Sequence, residues 1–202
     1  FAKNGTLVFL HGFPEYWQTW QAQLEHFSRE YRVIAPDMPG YNLSDKPGDD
    51  EFYLVPNLIQ FWRTFISKIN DGKPVYLVAH DWGGAIAWPF TAFCSDLVKK
   101  LVILNAGHPS TFTREIIRNP VQRQKSDYIH QLIADDAVDV LSRNHFAFLQ
   151  QIVFDQLNHA DLTAQQKQGY FNAWSQPGAV MGMLRYYRSM PQLAAREGEQ
   201  QS

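Results

Sequence analysis

An acid at the junction of a predicted strand and a predicted helix is the residue whose surroundings point most directly to chemistry. Asp81 follows the apolar run 75–79 and precedes a helical stretch, with small residues at 79, 83 and 84. Small residues are needed where a sharp strand-to-helix turn brings two backbones together, and such a turn raises a nucleophile above the sheet. The N-terminus of the following helix would stabilise a carboxylate there. An ordinary N-cap Asp is the alternative interpretation.

A second candidate motif, HGFP at residues 11–14, follows the first predicted strand. A His-Gly loop in this position commonly supplies one backbone N–H to an oxyanion hole, and the residue after the nucleophile supplies the other. The candidate donors are therefore the backbone N–H groups of Phe13 and Trp82. A Gly-Pro turn without function is the alternative for this segment alone, and its pairing with the turn at Asp81 favours the functional interpretation.

Four segments taken in order resemble the α/β-hydrolase family and, within it, the epoxide hydrolase branch: HGFPEYWQTW, APDMPGYNLSDKP, LVAHDWGGAIAW and LVILNAGHP. The resemblance covers nearly all of residues 5–109 and continues less closely beyond them. It implies that Asp81 is the nucleophile, that Phe13 and Trp82 provide the oxyanion-hole amides, and that a small epoxide and water are the substrates. It implies no cofactor and no metal. The residues assigned to substrate contact are Pro14, Trp17 and His80.

The same resemblance implies two tyrosines that hold the epoxide oxygen. Tyr128 occupies the first expected position, and Tyr187 occupies the second because it immediately precedes an Arg. Helical spacing places Tyr187 on an apolar face. Tyr186 is its competitor, and a core aromatic with a satisfied hydroxyl is the alternative for each tyrosine.

An Asp nucleophile suits an epoxide, because attack on a saturated carbon is a displacement that a carboxylate can perform without first losing a proton. The departing oxygen needs a proton, which paired phenols can supply. The resulting ester is cut by water, which needs a general base, normally a His oriented by an acid. In this fold the chain order is nucleophile, acid, His.

The sequence offers no His in the expected context after Asp81. The four that follow it, at 108, 130, 145 and 159, lie before or within predicted helices rather than after a late strand. Asn105 stands where some dehalogenase relatives place the acid, and it cannot ionise. We therefore expect the acid and His beyond Ser202, and further sheet strands outside this segment.

Two rival functions remain open at this stage. A haloalkane dehalogenase would use the same Asp, and Trp82 would suit a halide, although those enzymes usually have Asn where Phe13 stands. A protein that binds a small ligand without catalysis is the alternative from another class.

The elements that must position these residues alternate along the first half of the chain. Short apolar runs at 6–10, 32–35, 75–79 and 101–104 predict buried strands, and residues 17–27, 58–69 and 83–93 predict helices between them. This alternation is typical of an α/β fold with a mostly parallel sheet flanked by helices. After Pro109 only helical patterns follow, around 121–133, 144–157, 164–174 and 178–190. We predict an α/β-hydrolase core over residues 1–109 and an all-helical cap domain over 110–202.

Composition bounds the function further. The chain has 202 residues, 45% of them hydrophobic, and a net charge of -2, which gives no electrostatic attraction to nucleic acid or an anionic membrane. One cysteine excludes an internal disulfide, and no apolar run is long enough to span a bilayer. A cytoplasmic setting is the default expectation, with a removed leader left open because no Met begins the chain. The sequence does not indicate an oligomeric state.

Overall fold

Four parallel strands form the centre of the protein in a computed structural model that describes residues 4–155 and 162–190. The strands are β1 (Thr6–Leu10), β2 (Arg32–Ile34), β3 (Val75–His80) and β4 (Val98–Leu104). They are ordered β2-β1-β3-β4, and every neighbouring pair is parallel. The predicted α/β fold with a parallel sheet is confirmed. Because all strands run the same way, the ends of β1 and β3, at Leu10 and His80, lie side by side.

Helices cover both faces of this sheet. Those in the first half are α1 (Gln21–Phe27), α2 (Val55–Ile69) and α3 (Trp82–Phe93), with 3₁₀ turns at Trp17–Trp20, Asp50–Tyr53 and Ser95–Leu97. Alternate residues of β1 point to opposite faces. Val8 and Leu10 pack with α2 and α3 in the main core, whereas Leu7 and Phe9 pack with Trp20 and α1.

Only helices follow β4 in the described ranges. They are α4 (Pro109–Arg118), α5 (Pro120–Lys125), α6 (Tyr128–Ile133), α7 (Ala137–Phe154), α8 (Ala164–Trp174) and α9 (Ala179–Arg188). The helix predicted at 121–133 is two helices, because the chain turns at Ser126, and α4 was not predicted. Non-helical backbone at 143–146 interrupts α7. The capping box formed by Thr163 and Gln166 at the start of α8 is present as predicted.

These later helices share one core with the sheet. Buried side chains of α6 to α9 belong to the same cluster as those of β1, β3, α2 and α3. A buried hydrogen bond of 2.7 Å runs from Trp174 Nε1 to the carbonyl of Pro14. The division into a core and a cap domain stays a prediction. None of the helices in the described ranges is both long and apolar enough to cross a bilayer.

Candidate active site

Asp81 occupies a strained turn between β3 and α3. Its φ of 50° and ψ of -121° lie in a region that non-glycine residues rarely adopt, and such strain is typical of functional sites. A Cβ on Gly83 would lie 2.6 Å from the carbonyl oxygens of Leu10 and His11, and one on Gly12 would overlap the Asp81 side chain. The small residues around Asp81 are therefore required by the close passage of β1 and its loop.

The carboxyl of Asp81 lies against two backbone amides. The N–H of Phe13 donates to Oδ1 at 2.8 Å, and the backbone N–H of Trp82 lies close enough to lower the pKa of the carboxyl. Burial raises the pKa of this carboxyl, and the two amides oppose that shift without cancelling it. The two amides form an amide pocket beside the carboxyl, in which the Phe13 N–H holds Oδ1 and can stabilise negative charge on it.

His11 fixes the loop that carries Phe13. Its buried ring accepts the backbone N–H of Met38 at Nε2 (2.9 Å) and faces the carbonyl of Gly12 at Nδ1 (3.0 Å). Because a backbone N–H only donates and a carbonyl only accepts, the proton lies on Nδ1. Burial lowers the pKa of His11, which agrees with a neutral, structural imidazole.

Tyr128 and Tyr187 lie at the same cavity as Asp81. This cavity has a volume of about 340 Å³. Its lining residues are Val55, Asp81, Trp82, Ala85, Asn105, Ala106, Gly107, Pro109, Phe112, Thr113, Tyr128, Ile129, Tyr187 and Met190. Tyr187 lies close enough to Tyr128 to affect the pKa of its hydroxyl. The ring of Tyr187 meets the rings of Phe13 and Trp82 edge-on, with centroids 5.2 and 5.0 Å apart.

Tyr187 and Tyr186, the two candidates for the second tyrosine, have different surroundings in the structure. Tyr186 is buried among core aromatics, and its hydroxyl donates to the carbonyl of Pro39 at 2.8 Å. Tyr187 lines the cavity instead, and burial, followed by the nearby charge of Asp81, raises the pKa of its hydroxyl well above the ordinary value. Burial also raises the pKa of Tyr128. Both phenols therefore keep their protons at neutral pH.

The three residues expected to contact substrate do not line this cavity. The carbonyl of Pro14 accepts from Trp174. Trp17 lies in a separate surface groove between the turn at Trp17–Trp20 and α8. The ring of His80 is turned to Glu15, 3.0 Å away. The assignment of these three residues to substrate contact therefore stays a prediction.

Other residues of the cavity were missed from the sequence. Phe112, Thr113 and Met190 belong to its wall. The first two lie in α4 and Met190 lies just after α9, and no local pattern marks them as site residues. Glu15 was also missed, although its place directly after the HGFP motif was an available signal. Its partner His80 is 65 positions away along the chain.

No histidine of the described residues lines the cavity. His108 caps α4, where its Nδ1 accepts from the N–H of Ser110 at 3.3 Å. His130 in α6 lies 3.9 Å from Asp127, the residue that precedes this helix. His159 falls outside the described residues. Within the described ranges, no group of His, Cys, Asp and Glu side chains is arranged to hold a metal ion.

A parallel sheet flanked by helices, with an acid on a strained strand-to-helix turn beside an amide pocket, defines a hydrolase-type fold and site. Comparison with known proteins agrees. A model of the alpha/beta hydrolase fold family matches residues 5–197. Mouse epoxide hydrolase 4 is 35% identical over 190 residues, which cover 91% of this chain and 53% of that protein. Epoxide hydrolase 2 of Caenorhabditis elegans is 34% identical over 194 residues, covering 94% and 54%.

Solved structures give the same result. The crystal structure of a Bacillus megaterium epoxide hydrolase in complex with an inhibitor has a TM-score of 0.86 and 34% identity, and the match covers 96% of this chain and 70% of that one. The chain therefore belongs to the α/β-hydrolase family, in its epoxide hydrolase branch. It spans about half the length of the two curated relatives named above.

Proposed function

We propose that this chain carries the nucleophile of an epoxide hydrolase, which opens an epoxide to a vicinal diol through an ester on Asp81. One arrangement carries the proposal. The Asp81 carboxyl, held by the Phe13 amide, shares a cavity with the two protonated phenols of Tyr128 and Tyr187. Relatives named as epoxide hydrolases support the choice of substrate class.

The first step is displacement at an epoxide carbon. Oδ1 of Asp81 is engaged by Phe13, so Oδ2 is the oxygen that forms the new bond to carbon while the ring carbon–oxygen bond breaks. The departing oxygen takes a proton from one of the two phenols. General acid catalysis of this kind contributes on the order of 10² to 10⁴ in rate.

The second step is hydrolysis of the ester. Oδ1 becomes the ester carbonyl oxygen and already accepts the N–H of Phe13. This amide, together with the N–H of Trp82, stabilises the charge that develops when water attacks. That water needs a general base. Since no histidine of residues 4–155 and 162–190 lines the cavity, the proposal assigns the base to a His outside these ranges.

Ester formation can be tested on the chain alone. The protein is incubated with styrene oxide, and intact mass followed by peptide mapping locates any adduct. We expect one adduct per chain, on Asp81, and none in Asp81→Asn. A labelled residue other than Asp81, or no label on a folded chain, would overturn the proposal. A parallel incubation with a chloroalkane distinguishes the dehalogenase alternative, because faster labelling with release of chloride would favour that reaction.

A further inference from the structure

Glu15 and His80 link the two chain segments that form the amide pocket. Glu15 follows the Phe13-Pro14 segment in the loop after β1, and His80 is the last residue of β3, directly before Asp81. His80 Nδ1 lies 3.0 Å from Glu15 Oε2. The pair therefore connects the loop that carries the Phe13 donor with the turn that carries its acceptor.

The Glu15 carboxylate is itself held in place. Its other oxygen, Oε1, accepts the hydroxyl of Thr19 at 2.8 Å, and its backbone N–H donates to the carbonyl of Gly12 at 2.9 Å. These bonds close a tight turn around Phe13. A carboxylate fixed on both oxygens can hold an imidazolium in one position, because charge-assisted hydrogen bonds are short and directional.

The electrostatic surroundings favour an ion pair. Hydrogen bonding to Glu15 raises the pKa of His80 despite its burial. Burial opposes ionisation of Glu15, but its bonds to His80 and Thr19 outweigh that effect and lower its pKa. The other titratable groups that face the pair are Asp81, His11, Tyr41 and Tyr170.

We infer that Glu15 and His80 are positioning residues, whose ion pair fixes the distance between the Phe13 N–H and the Asp81 carboxyl. The inference rests on the proposed function for its catalytic meaning. Neither residue is among those that line the cavity. Their effect passes through Phe13, which sits two residues from Glu15, and through Asp81, which follows His80.

The test measures the Phe13 amide directly by hydrogen exchange in NMR, so that it does not depend on turnover. We expect Glu15→Gln and His80→Ala each to speed exchange of this amide by about tenfold or more, the size of effect expected from losing a charge-assisted hydrogen bond. Amides of the β1–β3 ladder should keep their rates. Glu51→Gln, which removes an exposed carboxylate at a distance from the site, is the matched control and should leave Phe13 unchanged.

Two further variants separate positioning from general stabilisation. His80→Asn keeps a donor near the Nδ1 position, so it should restore part of the protection lost in His80→Ala. In the wild type, the protection factor of the Phe13 amide should fall as pH rises through the raised pKa of His80, because the imidazole then loses its charge. His80→Asn should show no such fall.

The double variant Glu15→Gln with His80→Ala should exchange the Phe13 amide no faster than either single variant does, because both substitutions remove the same contact.

Equal exchange of Phe13 in all variants would overturn the inference, and so would faster exchange of every amide, which indicates loss of stability alone. Styrene oxide labelling of Asp81 in the same samples reports on the proposed function separately. If the wild type is not labelled, the proposed function fails while the exchange result still decides the role of the pair. If it is labelled, Glu15→Gln should slow labelling.

Discussion

At the scale of single residues, the environment of Asp81 predicts when it can act as a nucleophile. Only its ionised form attacks an epoxide, and burial raises its pKa above the ordinary 3.8. The rate of labelling by styrene oxide should therefore rise with pH. On acidification, the rate should fall at a higher pH than it would if Asp81 had the pKa of an exposed Asp. The labelling rate measured by mass spectrometry from about pH 4 to about pH 8 checks this. A labelling rate that increases toward acid pH would contradict this prediction. Asp81→Asn is the control, and its labelling rate gives the background from other residues.

The two phenols of the cavity should be distinguishable from that of Tyr186, which is buried beside Tyr187 in the sequence but outside the cavity. Tyr128→Phe and Tyr187→Phe each remove a proton donor, so we expect each to slow ester formation by about 10² or more. Tyr186→Phe removes instead the bond to the Pro39 carbonyl and should cost about 1 kcal/mol of folding free energy without a comparable loss of rate. Single-turnover labelling and urea unfolding of the three variants give both quantities. If Tyr186→Phe forms the ester slowly and Tyr187→Phe forms it at the wild-type rate, Tyr186 rather than Tyr187 is the proton donor.

At the scale of elements, the position of α9 depends on contact between two glycines. A Cβ on Gly40 would lie 2.8 Å from the backbone oxygen of Gly182, and one on Gly182 would overlap the backbone of Gly40. Overpacking of this kind costs about 1–3 kcal/mol. Gly182→Ala should lower the free energy of unfolding by about that amount and slow labelling of Asp81, because Tyr187 lies on the same helix. Gly48→Ala, whose Cβ would meet nothing within 4 Å, is the control and should change neither.

The sequence predicted elements well where one pattern dominates. The strand at Thr6–Leu10 was predicted to the residue, because an unbroken apolar run between polar ends has one interpretation. The helices after Pro109 were harder. The break between α5 and α6 at Ser126 and the interruption of α7 at 143–146 depend on packing against other elements, which local spacing does not record.

The candidate site, too, could be predicted from the sequence only in part. The strained turn at Asp81 could be anticipated, since its small neighbours are local in sequence. The contact of His80 with Glu15 could not be predicted from spacing, because it depends on two strand ends that become neighbours only in the parallel sheet. The position of Trp17 beside α8 follows from the path of the loop after β1, which local spacing does not record.

At the scale of the whole molecule, the site is assembled from both halves of the chain. The sheet supplies Asp81 and its amides, while Tyr128 and Tyr187 come from helices beyond Pro109. Neither half holds the phenols against the carboxyl by itself. The shared core and the buried bond from Trp174 to Pro14 are what keep the two sets of groups together.

This continuity predicts that the two halves unfold as one cooperative unit. Cys94, the single cysteine, is buried in the sheet half, so thiol labelling in urea reports on that half, while circular dichroism reports mainly on the helices. We expect the two midpoints to coincide. Trp174→Phe leaves the Pro14 carbonyl unpaired, which costs about 1–3 kcal/mol, and should lower both midpoints together. Trp17→Phe, at a half-exposed site, should change neither. A loss of helix that precedes labelling of Cys94 would show instead that the helices after Pro109 form a separate unit.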